Sequence, residues 1–149
     1  MSHGLGSTVS GPPRVGPACH TIHVAEENSY RIQALEANTG THVRFFGTGT
    51  HGAAADQLQS PYDVALHEPA PGSDQPTLLF VADYGKHRVQ VFNADTGALV
   101  RTIGTTGQAG DAMGQLNRPS GVAVHPGAEG AMLLFVTENG NNRVQVFAL

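Results

Sequence analysis

Eight histidines and a single cysteine, Cys19, are the residues of this chain best suited to holding a metal. His67 and His125 close two runs of one pattern, Gln57-Leu58 through Pro61 to His67 and Gln115-Leu116 through Pro119 to His125. Equivalent imidazoles that converge can ligate zinc, but such a site needs three or four donors. One unit earlier the aligned place holds Ser10, and spacing identifies no third ligand. Cys19, His20 and His23 lack a zinc-binding spacing as well. His67 and His125 are therefore weak metal candidates, and polar strand ends are the simpler reading.

Two other patterns invite chemistry. Gly47-Thr48-Gly49-Thr50-His51-Gly52 matches G-x-G-x-x-G letter for letter. That pattern cradles a pyrophosphate only where it follows a strand and opens a helix. Here residues 53–57 leave room for about one turn before Pro61, so a connection between structural units is expected. Glu26, Asp83 and Glu138 each precede an arginine by five residues: Arg31, Arg88 and Arg143. Acid and base facing each other across a hairpin pair well. A residue copied into every unit serves the unit, so these pairs read as structural. No Ser/His/Asp, Cys/His or paired-carboxylate arrangement has positional support. No catalytic residue and no cofactor are assigned.

The elements that must position these residues come in repeats. Leu78 to Phe92 (LLFVADYGKHRVQVF) returns as Leu133 to Phe147 (LLFVTENGNNRVQVF), and a worn copy runs from Val24 to Gln33. Asn38-Thr39-Gly40 through Gly47 returns as Asp95-Thr96-Gly97 through Gly104. Several segments keep one order at offsets of 55, 57 and 58 residues, which marks a repeat architecture. Within a unit, Tyr62 to His67 alternates, and Leu78 to Ala82 is continuously apolar, as in a strand buried on both faces. Val89 and Val91 take one face of the next strand, Arg88, Gln90 and Phe92 the other. Strands are expected near 24–27, 30–36, 41–46, 62–67, 77–83, 87–93, 98–103, 121–125, 132–138 and 142–148, with negligible helix. Each unit is then a four-stranded antiparallel meander, and such sheets stacked radially make an all-β propeller.

Composition agrees. Of 149 residues 40% are hydrophobic, enough for a core, while only 13% are charged, about half the usual share. Nineteen glycines and nine prolines favour many turns over long helices. The net charge is −4 and Lys86 is the one lysine, which argues against a nucleic-acid surface.

Pro119-Ser120-Gly121-Val122-Ala123-Val124, followed by the Leu79 to Phe92 pattern, resembles the NHL repeat, the blade unit of one propeller family. Lys86-His87, Asn141-Asn142 and Ser29-Tyr30 replace its Asn-His, and Asp63 replaces its first-strand glycine. The resemblance implies about three blades, half of a six-bladed ring: blade 1 about 5–47, blade 2 about 61–104, and blade 3 about 119–149 without its outer strand. Spacing puts blade 1's inner strand at Leu5 to Ser10. Open apolar faces imply a homodimer closing the ring, a place in a longer propeller, or an N-terminal segment closing beside the last strand.

Function is expected where the units differ. The turn between second and third strands varies, and it shares a rim with the connections between blades. The expected partner surface is Tyr30, Tyr84, Lys86, His87, Arg118 and Asn142, with Tyr84 and Lys86 exposed. The expected role is a non-catalytic scaffold for a protein or peptide. The alternatives are a metal-dependent propeller enzyme, as in a lyase related to the family, and an RNA-binding propeller. No apolar run reaches the ~20 residues of a membrane span, and Met1 to Pro17 lacks signal-peptide order. A soluble, cytoplasmic chain is expected.

Overall fold

The computed structural model describes residues 7–8, 20–52, 54–127 and 131–149. Among the described residues, eleven strands form three antiparallel sheets in chain order. Sheet 1 holds β1 (Ser7–Thr8), β2 (Thr21–Glu26), β3 (Arg31–Glu36) and β4 (His42–Phe46). Sheet 2 holds β5 (Pro61–His67), β6 (Leu78–Asp83), β7 (Arg88–Asn93) and β8 (Leu99–Gly104). Sheet 3 has three strands, β9 (Pro119–Pro126), β10 (Met132–Glu138) and β11 (Arg143–Ala148). Each sheet is a meander of hairpins, so the chain is all-β with blade-like sheets. Among the described residues the only helical elements are 3-10 turns at Glu27–Ser29 and Tyr84–Lys86. None is long and apolar enough to cross a membrane.

Most expected strands lie within two residues of their predicted bounds. The exception is β2, which begins three residues early, because Thr21 to His23 pair with Ala34 to Glu36. Ser7 and Thr8 pair with Val24 and His23, inside the stretch given to the inner strand of the first unit. Those residues thus extend sheet 1 and do not pair beside the last strand, which overturns the third closure scheme for the described part of the N-terminal segment.

The sheets pack face to face through alternation along their strands. Leu58, Val64, Leu79, Val81 and Phe92 meet Ala25, Ile32, Ala34 and Phe46 between sheets 1 and 2. Ala65, Phe80, Ala82, Val89 and Val91 meet Leu116, Val122, Leu134 and Val136 between sheets 2 and 3. Strand β6 therefore has both faces covered, as its unbroken apolar run requires: Leu79 to Ala82 are fully buried. Val89 and Val91 face sheet 3 while Phe92 faces sheet 1, in the expected alternation.

The repeated acid and arginine hold the connections. Asp83 Oδ2 accepts from Arg88 Nε at 2.9 Å, and both side chains are at most 1% exposed. Asp83 Oδ1 also accepts the backbone N–H groups of Gln59 and Ser60. Arg88 Nη2 and Gln90 Nε2 donate to the carbonyls of Gln57 and Ala55. Sheet 3 repeats the clamp: Arg143 and Gln145 donate to Glu138 and to carbonyls of the 111–115 stretch. Burial pushes the Glu138 carboxyl up, but hydrogen bonds from Arg143, Gln145, the Asn117 N–H and Asn141 outweigh it and hold it below the usual range. The Gly-rich stretch at 47–52 is such a connection. Gly47 sits at φ +87°, and a Cβ there would lie 2.9 Å from the Tyr30 carbonyl. No helix opens after it among the described residues, so the phosphate geometry is not formed.

Candidate functional site

The rim at the N-terminal ends of β5 and β9 carries the most distinctive side chains. Both strands begin with a register shift: Pro61 faces Asp83 and Asp63 faces Ala82, leaving Tyr62 as the extra residue. Such a bulge re-aims its side chain. Tyr62 turns onto Tyr84, the rings stacking at 4.4 Å and 15°. The Arg118 guanidinium lies 5.9 Å from the Tyr84 ring centroid, within cation–π range. Burial, then Glu27, then Tyr84, raises the Tyr62 phenol above its ordinary value. Tyr62, Tyr84 and Arg118 thus form a strip from sheet 2 to the start of sheet 3, aromatic at one end and cationic at the other.

Backbone conformation fixes part of this strip. Tyr30, His87 and Asn142 occupy one equivalent turn position in the three sheets, and Arg118 precedes β9; all four have φ between +50° and +55°. Non-glycine residues adopt that region reluctantly. His87 accepts the Arg118 N–H at Nδ1 (3.1 Å), which places the proton of the neutral ring on Nε2. Burial and the adjacent Arg118, against Asp83, lower the His87 pKa and favour that neutral form. The ring is thereby an acceptor that steadies Arg118 beside Tyr84.

Of the expected surface residues, the structure gathers Tyr84, Lys86, His87 and Arg118. Tyr30 lies edge-on to His51 at 5.1 Å. Asn142 lines a shallow hollow of about 470 Å³ on sheet 3 with Ser120, Asn139 and Val144. Tyr84 and Lys86 are half-buried rather than exposed, and Tyr62 covers one face of the Tyr84 ring. Sequence reasoning missed Tyr62. Its signal was the variable residue after Pro61, tyrosine here and Ser120 in the next unit.

At the opposite rim, His20, His23, Arg44, Glu68 and Asp95 border a hollow of about 210 Å³. His67 ends β5 and His125 is the last residue but one of β9, and His125 Nδ1 lies 2.6 Å from the Pro126 carbonyl. Among the described residues no group of three or more His, Cys, Asp or Glu is placed to hold a metal ion. Cys19, Ser10 and residues 128–130 lie outside the described residues.

These features define an all-β chain of successive blade-like sheets with an aromatic and cationic strip on one rim. No family model and no curated protein matches the chain. Among solved structures it is similar to the crystal structure of an auxiliary nutrient binding protein from Bacteroides thetaiotaomicron, with a TM-score of 0.59 and 13% identity. The match covers 86% of this chain and 35% of that protein, so this chain spans about a third of its length. At that identity the likeness concerns the fold.

Proposed function

We propose that the chain is a stretch of NHL-like β-propeller acting as a non-catalytic scaffold that holds a protein or peptide on the Tyr84 rim. The observation that carries this reading is the Tyr62–Tyr84 stack flanked by Arg118. Rigid aromatic surface beside an arginine is the composition that dominates contact energy when a partner buries it. The cationic end at Arg118 gives the strip a charge that an acidic group of the partner can match. The repeating sheet order and the fold-level likeness support the propeller, and the repeated turn sequences support the family.

The test is affinity capture with the wild-type chain and with Tyr84→Ala/Lys86→Ala, both checked for equal stability by urea titration. A partner retained by the wild type and lost from the double variant supports the rim. Equal retention by both moves the site to the opposite rim, around Glu68 to Gln75.

A further inference from the structure

Two of the six sheet faces in this chain meet no other sheet among the described residues. On sheet 2, Ala65, Phe80, Ala82, Val89 and Val91 form the face that sheet 3 covers, and all are at most 5% exposed. The same positions on sheet 3 are Ala123, Phe135, Thr137, Val144 and Val146. There Val144 is 56% exposed and Val146 48%. The opposite face of sheet 2 presents Leu79, Val81 and Phe92 to sheet 1, all at most 1% exposed. Their counterparts on sheet 1, Ile22, Val24 and Leu35, are only half-buried.

The two open faces are therefore the two halves of a seam that the chain already makes twice within itself. The open face of sheet 3 copies the face that receives a following sheet. The open face of sheet 1 copies the face that packs onto a preceding one. Charge does not oppose contact, because on sheet 1 Glu26 and Arg31 neutralise each other and the guanidinium lies 4.0 Å over the Phe45 ring. Polar detail continues the pattern. His87 accepts a backbone N–H from the start of the following sheet, and Asn142 stands at the same left-handed position beside the open hollow of sheet 3.

We propose that the open face of sheet 3 is the seat for sheet 1 of a second copy of this chain, each copy giving one face and receiving the other. The unit seam is heterologous, and two such seams related by a two-fold axis close a ring of six sheets. The internal seams each seal a connection leucine, Leu58 or Leu116, at 0% exposure. This inference concerns the faces and not the rim; the rim variants leave it untouched.

The test uses two variants, each blocking one face: Val144→Glu/Val146→Glu on sheet 3 and Val24→Glu on sheet 1. Sedimentation velocity of the wild type at about 100 µM is expected to show twice the 15.5 kDa chain mass. Each variant alone is expected at the monomer mass, with unchanged far-ultraviolet circular dichroism. Mixing them leaves one seam intact, so a heterodimer is expected to form. A wild-type monomer, a dimer that survives both variants, or a mixture that yields no heterodimer overturns the proposal. An open polymer in place of a dimer overturns ring closure. Should Val24→Glu fail to fold, Ile22→Lys takes its place in the mixing experiment.

Discussion

Sheets 1 and 2 are built from the same unit, yet their ion pairs live in different worlds. Asp83 and Arg88 are 0% and 1% exposed, whereas Glu26 and Arg31 are 27% and 33% exposed. The hairpins that bear them pair in the same register, Asp83 with Arg88 and Glu26 with Arg31. The difference comes from what arrives next door. Arg88 donates to the carbonyl of Gln57 and the hydroxyl of Thr106, while Arg31 has only Glu26 and the Phe45 ring among the described residues. Burial in a repeat is a property of neighbours, and the unit's own sequence does not encode it.

The largest break in this comparison comes from removing the arginines. Arg88→Ala strands Asp83 as an uncompensated buried carboxylate, and an unfolding free energy lower by ~3–5 kcal/mol is expected from urea titration. Arg31→Ala, at a solvent-screened pair, is expected to cost ~0–1 kcal/mol. Equal losses would show that the neighbour does not set the value of the pair.

A second test uses a position where the two sheets differ. His23 aligns with Phe80, and the two side chains are 3% and 0% exposed. Burial lowers the His23 pKa from 6.5 to about 4. The unfolded chain therefore takes up a proton before the folded one as pH falls. The stability linked to His23 is complete above pH 6.5 and is lost progressively down to about pH 4. The expected loss is about 3 kcal/mol across that window. His23→Phe, copying sheet 2, is expected to flatten the slope in stability-versus-pH curves; an unaltered slope would assign the titration elsewhere. Glu138, held low, contributes stability present above its ordinary carboxylate pKa and lost as pH falls through its depressed value.

Smaller effects sharpen the contrast between covered and open faces. Val91→Ala is expected to cost about 2 kcal/mol through lost burial and a residual cavity. Val146→Ala at the matching position is expected to stay within about 0.5 kcal/mol in a chain held monomeric by Val24→Glu. A small change is also expected at Asp63, whose Oδ2 accepts the Val122 N–H at 3.0 Å between the first strands of sheets 2 and 3. Asp63→Ala is expected to cost about 1 kcal/mol and to speed amide exchange at Val122.

Much of the architecture was legible in the sequence because the repeat offsets align turn chemistry with turn chemistry. The run Leu78 to Ala82 announced a strand covered on both faces, and it is one. The alternation across Arg88 to Phe92 assigned each side chain to a face before any neighbour was known. The site was less legible. Tyr30, His87 and Asn142 differ in type but share one backbone role, so their variation marks a turn with several solutions as much as a binding surface. Tyr62 escaped notice because a bulge, not its sequence neighbours, turns it toward Tyr84. The depth of Asp83 and Arg88 escaped for a related reason: it depends on residues 31 positions away, at Gln57.

The grip of Arg88 and Gln90 on the carbonyls of Gln57 and Ala55 has a consequence for how the molecule melts. The gripped residues are the exit from one sheet, and the gripping side chains belong to the next. A sheet that frays must therefore release its predecessor's tail, and a tail that detaches leaves two buried donors of the next sheet's hairpin without their acceptors. In a one-dimensional lattice of repeats this is a strong nearest-neighbour coupling term. It predicts domino-like cooperativity: hydrogen exchange in β3 and β7 should proceed through shared openings, with one midpoint for both strands rather than a staircase of separate transitions.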